Sequence, residues 1–168
     1  KGEGKTTLIS NLAVTLAQAS LRTILIDADL RRPSLHTLFE VDPGHAGLSE
    51  LLTAQCDLED VVIQSKFEHL KVIPAGVRPP NPAELVGSKK MADLLKRFSA
   101  EYDYVLIDTP PILPVADALS LARSVDGVVL VVRGQDTQKH VASLAVHRLD
   151  QVGARIVGVI LNNVDVRS

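Results

Sequence analysis

Lys1-Gly2-Glu3-Gly4-Lys5-Thr6-Thr7 places two glycines, a lysine and a hydroxyl directly ahead of an amphipathic run. That is what a phosphate-gripping loop needs. Glycines let backbone N–H groups close around oxygens, a lysine reaches the β and γ phosphates, and a threonine hydroxyl can ligate magnesium. Gly2, Gly4, Lys5 and Thr6 match the second half of G-x-x-x-x-G-K-[ST], whose first glycine would fall two residues ahead of Lys1. A helix starting at this loop would aim its N-terminal dipole and free amides at the anion, which separates the motif from an ordinary glycine turn.

Two further stretches deliver carboxylates. Ile24-Leu25-Ile26-Asp27-Ala28-Asp29-Leu30-Arg31-Arg32-Pro33 is an apolar strand pattern running into two aspartates and an arginine, and Val105-Leu106-Ile107-Asp108-Thr109-Pro110-Pro111 repeats the theme with one. Strands of an open parallel sheet carry their ligands at the carboxyl ends, so Asp27, Asp29 and Asp108 are expected beside the phosphates. Asp108 is expected to order the water shell of a magnesium ion opposite Thr6. Acidic residues also end strands as plain turn formers. Three phosphate-site elements in this order make that account the weaker one.

The elements that position these groups follow from hydropathy. Apolar residues recur at helical spacing from Lys5 to Ala19. Unbroken strand patterns are expected at Thr23–Ile26, Leu70–Ile73, Tyr104–Ile107, Gly127–Val132 and Arg155–Leu161, and helices at Leu48–Thr53, Pro82–Ala100, Val115–Ser124 and Gln138–Val152. Unbroken apolar strands predict burial on both faces in a parallel sheet, and the helix–strand rhythm predicts a doubly wound α/β sandwich. The Pro79-Pro80-Asn81-Pro82 stretch reads as a rigid loop into a helix N-terminus.

Composition narrows the function classes. The 168 residues fit one domain with a sizeable core. Eighteen basic against twenty acidic side chains, net −2, leave no overall basic footprint for nucleic acid. The single cysteine, Cys56, cannot form an intrachain disulfide, and no run reaches about 18 apolar residues, so a reducing cytosolic compartment is expected. His140 and His147 share a helix face but show no metal-ligand spacing. Asn162-Asn163-Val164-Asp165 follows the last strand, where a contact to a nucleotide base and a simple strand-end turn are both open readings.

On the motifs Gly2–Thr7, Ile24–Pro33 and Val105–Pro111, supported by Gly47–Leu52 and Pro80–Leu85, the sequence resembles the bacterial tyrosine kinases of capsular and exopolysaccharide synthesis. These belong to the deviant P-loop ATPases, with the division-site and plasmid-partition ATPases; Asp-x-Asp-x-Arg marks the kinase branch. The resemblance spans essentially the whole chain. It implies a P-loop fold with ATP and magnesium as cofactors, and ATP-dependent autophosphorylation on tyrosine. It further implies Gly2, Glu3, Gly4, Lys5, Thr6 and Thr7 on the phosphates, adenine contacts at Asn162 or Asn163, and metal ligation by Thr6, Asp27 and Asp108. Lys5, Asp27, Asp29 and Asp108 would be catalytic, with Asp27 orienting the tyrosine hydroxyl; Arg31 is left between the phosphates and a subunit contact.

The family works as homo-oligomeric rings with a membrane adaptor or polysaccharide co-polymerase, fused or separate, at the inner face of the plasma membrane, without nucleic acid. It also has a strand ahead of the loop and a tyrosine-rich tail. Neither is in this sequence, whose only tyrosines are Tyr102 and Tyr104, so residues 1–168 are expected to be a single kinase domain truncated at the loop. Two alternatives are carried: an ATPase switch of the partition and division-site type controlling dimerisation and partner binding, and a nucleotide-binding regulator without kinase activity.

Overall fold

The structure is a computed structural model, and it describes residues 4–134 and 137–164. Helix α1 (Lys5–Gln18) leads into β1 (Thr23–Asp27), then the short helices α2 (Leu35–Leu38), α3 (Leu48–Leu52) and α4 (Leu58–Val61). Strands β2 (Ile63–Gln64) and β3 (Leu70–Ile73) follow, then α5 (Pro82–Val86), α6 (Lys89–Glu101) and β4 (Tyr104–Asp108). The chain ends through α7 (Asp117–Ala122), β5 (Val128–Arg133), α8 (Lys139–Gln151) and β6 (Ile156–Asn162).

The strands form two sheets. One has the order β2-β3-β1-β4, with β1 parallel to both neighbours and β2 antiparallel; the other pairs β5 with β6 in parallel. Every residue of β1 is buried. Its alternation sends Ile24 and Ile26 to one face, with Ile73, Met91 and Phe98, and Leu25 to the other, with Ala13, Ala17, Leu70 and Val72. Burying each large aliphatic side chain contributes about 1.5–3 kcal/mol, so β1 is held from both faces. The expected α/β architecture, a mostly parallel sheet flanked by helices, is what the chain adopts.

Three local expectations are corrected. The helix expected over Pro82–Ala100 is two helices, because Gly87 ends α5 and Ser88, extended at φ −75° and ψ 159°, caps α6 by accepting the Met91 amide at 3.2 Å. Small elements too short for a periodic signal appear as α2, α4 and β2. The expectation of burial on both faces fails for β6, where Val157, Val159 and Leu161 are 56%, 57% and 58% exposed.

Candidate active site

Parallel register does the first piece of assembly. Asp27 and Asp108 are direct partners at the ends of β1 and β4, so two carboxylates separated by eighty residues of chain sit side by side at one edge of the sheet. The Ala28 amide donates to the Asp108 carbonyl at 2.8 Å and continues that pairing one residue further.

Helix α1 supplies the second piece. Its N-cap is Gly4 at φ 78°, a left-handed conformation that a side chain resists, and no acidic residue occupies the first turn. A Cβ at Gly4 would lie 2.4 Å from Asn162 Nδ2, which shows that the end of β6 reaches the loop. Asn163, at φ 55°, makes the left-handed turn after the strand. The Thr6 hydroxyl donates to Asp108 Oδ2 at 2.6 Å and accepts from Ser34 Oγ at 3.3 Å, tying together the helix start, the end of β4 and the loop after β1.

Asp27 is fully buried. One carboxylate oxygen accepts the Asp29 amide at 3.2 Å and the other accepts the Ser34 and Leu35 amides, each at 3.1 Å. Burial pushes its pKa up to about 7, with the neighbouring Asp108 charge adding to the rise and the three amides opposing it. Asp108 is also raised, chiefly by burial and further by Asp29, against the lowering pull of the Thr6 hydroxyl and Lys5. Asp29 is less enclosed than Asp27, and its Oδ1 accepts the Arg32 amide at 3.0 Å.

Two buried carboxylates whose ionised forms are penalised, facing a hydroxyl, make a hard-oxygen donor set that a divalent cation relieves. Among the described residues no group of three or more His, Cys, Asp or Glu is arranged to hold a metal. Asp27, Asp108 and the Thr6 hydroxyl offer few protein oxygens, a set that fits a hard cation completing its shell with water or phosphate oxygens.

Of the residues expected at the site, Gly4, Lys5, Thr6, Asp27, Asp29, Asp108 and Asn162 converge on this edge; Thr7 lies exposed on the first turn, and Gly2 and Glu3 fall outside the described residues. Arg31 meets a partner the sequence did not reveal. Its Nε and one terminal nitrogen donate to the two oxygens of Asp117, at 2.9 and 3.0 Å. The only signal for Asp117 was an acidic residue near an expected helix start, and Ser34 had none beyond its place after Pro33. His140 and His147 are both exposed.

The loop, the paired aspartates and the parallel sheet define a nucleotide-binding domain of the P-loop class, and residues 1–158 match the AAA domain family. The chain is 44% identical over 161 residues to tyrosine-protein kinase YwqD of Bacillus subtilis, covering 96% of this chain and 68% of that protein. It is also 44% identical over 166 residues to tyrosine-protein kinase Etk of Escherichia coli, covering 98% of this chain but 23% of that much longer protein. The solved kinase domain of Escherichia coli ETK superposes with a TM-score of 0.95 at 40% identity, over all of this chain and 66% of that one. The septum site-determining protein MinD of Pyrococcus horikoshii, solved with Mg-ADP, matches at 27% identity and a TM-score of 0.80 over 96% of this chain and 65% of that one. The chain belongs to the bacterial tyrosine-protein kinase family.

Proposed function

We propose that this chain is the catalytic core of an ATP-dependent protein-tyrosine kinase, an autokinase acting in capsular or exopolysaccharide production and export. The reading rests on one observation above the others. The family's loop and both of its aspartate motifs converge on the Thr6–Asp108 hydrogen bond, beside the Asp27–Asp108 register pair.

Phosphoryl transfer asks for positioning and charge neutralisation more than covalent chemistry. Residues Gly2 to Thr7 and the Lys5 ammonium hold the ATP phosphates at the start of α1. Thr6, Asp108 and Asp27 would hold magnesium, which when bound would supply charge neutralisation for phosphoryl transfer. Asp27 orients or accepts the tyrosine hydroxyl proton, with Asp29 sharing that role from its more open position. Asn162 or Asn163 contacts the adenine from the end of β6, a reading supported by the approach of the Asn162 side chain to Gly4.

The domain as proposed is a single kinase unit over residues 1–168, completed by a strand ahead of Lys1 that pairs between β4 and β5. The open edge of β4 supports this: Val105, Leu106 and Ile107 are half-buried while all of β1 is buried. Among the described residues no helix is long and apolar enough to cross a membrane. A membrane adaptor or co-polymerase, fused or separate, would hold the kinase at the inner face of the plasma membrane as a homo-oligomer.

The test is phosphotyrosine formation by the intact protein with magnesium-ATP and its tail or adaptor supplied. Lys5→Met should abolish ATP binding, measured by calorimetry. Asp27→Asn should leave ATP affinity within about tenfold, or 1.4 kcal/mol, while cutting phosphotransfer at least about a hundredfold. ATP hydrolysis without phosphotyrosine in the wild type, responding instead to partner binding, would replace the kinase with a nucleotide switch; ATP binding with neither activity would leave a regulator.

A further inference from the structure

Arg31 and Asp117 are separated by eighty-six positions and form a two-pronged ion pair. The Asp117 side chain is completely buried, whereas that of Arg31 keeps 34% exposure. Asp117 holds the Arg31 guanidinium above its ordinary range, and Asp29 adds to that pull. The pair is more than a surface contact, since removing Arg31 would strand a carboxylate with no access to water.

Its place in the fold gives it a second consequence. Arg31 stands two residues after Asp29 and three before Ser34, in the loop that also hydrogen-bonds to Thr6 and to Asp27. Asp117 opens α7, nine residues after Asp108, and α7 packs on α5. The ion pair therefore fastens the loop carrying Asp29 to the segment leaving Asp108. A guanidinium fork gripping both carboxylate oxygens fixes orientation as well as distance, which a single-point ammonium does not.

We propose that Arg31 and Asp117 together form a positioning pair for phosphotransfer, setting Asp29 and the β1–α2 loop against the Thr6–Asp108 centre, and that Arg31 does not contact the transferred phosphate. The inference rests on the kinase reading above and adds two residues to it.

The experiment compares Arg31→Gln, Asp117→Asn, their double variant and Arg31→Lys in the intact protein, reading kcat and KM for ATP in tyrosine phosphorylation together with the thermal midpoint. Each single loss should lower kcat at least tenfold with KM for ATP within about twofold. The double variant should be no more than about twofold slower than the worse single one, because both changes break one interaction. Arg31→Lys should recover only part of the rate.

Losses that multiply in the double variant would overturn the pair. So would a slow Arg31→Gln beside a wild-type Asp117→Asn, which places Arg31 on substrate. Unchanged kcat per folded molecule with lowered midpoints would reduce the pair to a structural fastener. If Asp117→Asn proves insoluble, Asp117→Glu takes its place: a lowered kcat at constant KM for ATP beside a slow Arg31→Gln supports the pair, and a wild-type kcat beside a slow Arg31→Gln overturns it. A wild type that makes no phosphotyrosine overturns the kinase reading instead, and that failure is visible before any variant is compared.

Discussion

Strands β1 and β6 are both apolar and both parallel to a neighbour, yet their side chains meet different surroundings. All five residues of β1 are buried, while β6 alternates between half-buried and exposed along its length. The four-stranded sheet gives β1 a partner on each side and core clusters on both faces; no residue of β5 or β6 belongs to either cluster among the described residues. The contrast teaches where precision resides. Asp27 and Asp108 hang from strands fixed by a hydrogen-bond ladder and by packing, whereas Asn162 reaches the loop from a strand paired on one side only.

The sharpest test of this contrast is pH, because the carboxylate carried by β1 is buried at a cost. Asp27 has a folded pKa of about 7 against an ordinary value of 3.8. Unfolded chains lose that proton near pH 4 while the folded, metal-free protein keeps it, so its contribution to stability is full below pH 4 and is lost as pH rises through 7. The difference corresponds to at most about 4 kcal/mol. Chemical denaturation of the nucleotide-free, metal-free intact protein should show stability falling over that range, and Asp27→Asn should flatten the slope. An unchanged slope would show that Asp27 is more hydrated than its surroundings suggest.

Next in size is a pair of core deletions. Ile26→Ala, at a wholly buried position, should cost about 3 kcal/mol, and Val159→Ala, at a position 57% exposed, less than about 0.5 kcal/mol. Urea unfolding of both variants measures the gap. A Val159→Ala cost above about 1.5 kcal/mol would show that another segment or subunit covers the outer face of β6 in the intact protein.

Glycines give the smallest effect and sharpen the same point. A Cβ at Gly47 would lie 2.3 Å from the Pro74 carbonyl oxygen and the Gly76 amide nitrogen, so Gly47→Ala should force the backbone apart and destabilise by about 2 kcal/mol. A Cβ at Gly158 in β6 meets nothing within 4 Å. Gly158→Ala should be neutral or stabilise by about 0.5 kcal/mol, because alanine restricts the unfolded chain. Thermal melts of the two variants side by side check both signs.

Much of the site was legible in the sequence for a local reason. A glycine-lysine-threonine ahead of a helix, and an apolar run ending in aspartate, are short-range patterns dictated by backbone freedom and by the two-residue strand repeat. They sufficed to nominate Gly4, Lys5, Thr6, Asp27, Asp29 and Asp108, and to predict a parallel sheet flanked by helices. The break at Gly87–Ser88 was also written locally, as a glycine followed by a capping serine, although the apolar periodicity ran across it.

Other features depended on which segments become neighbours, and no spacing along the chain encodes that. The register that sets Asp27 beside Asp108, the Ser34 hydroxyl on Thr6 and the buried Asp117 under Arg31 all join residues distant in sequence. Burial followed the same rule. The strand patterns at β1 and β6 look alike because hydropathy records only what a side chain prefers, while exposure depends on whether a second strand and a helix face arrive to cover it. So the sequence alone determined which chemical groups this protein brings, and the tertiary structure decided which of them share a hydrogen bond, an ion pair or a loop.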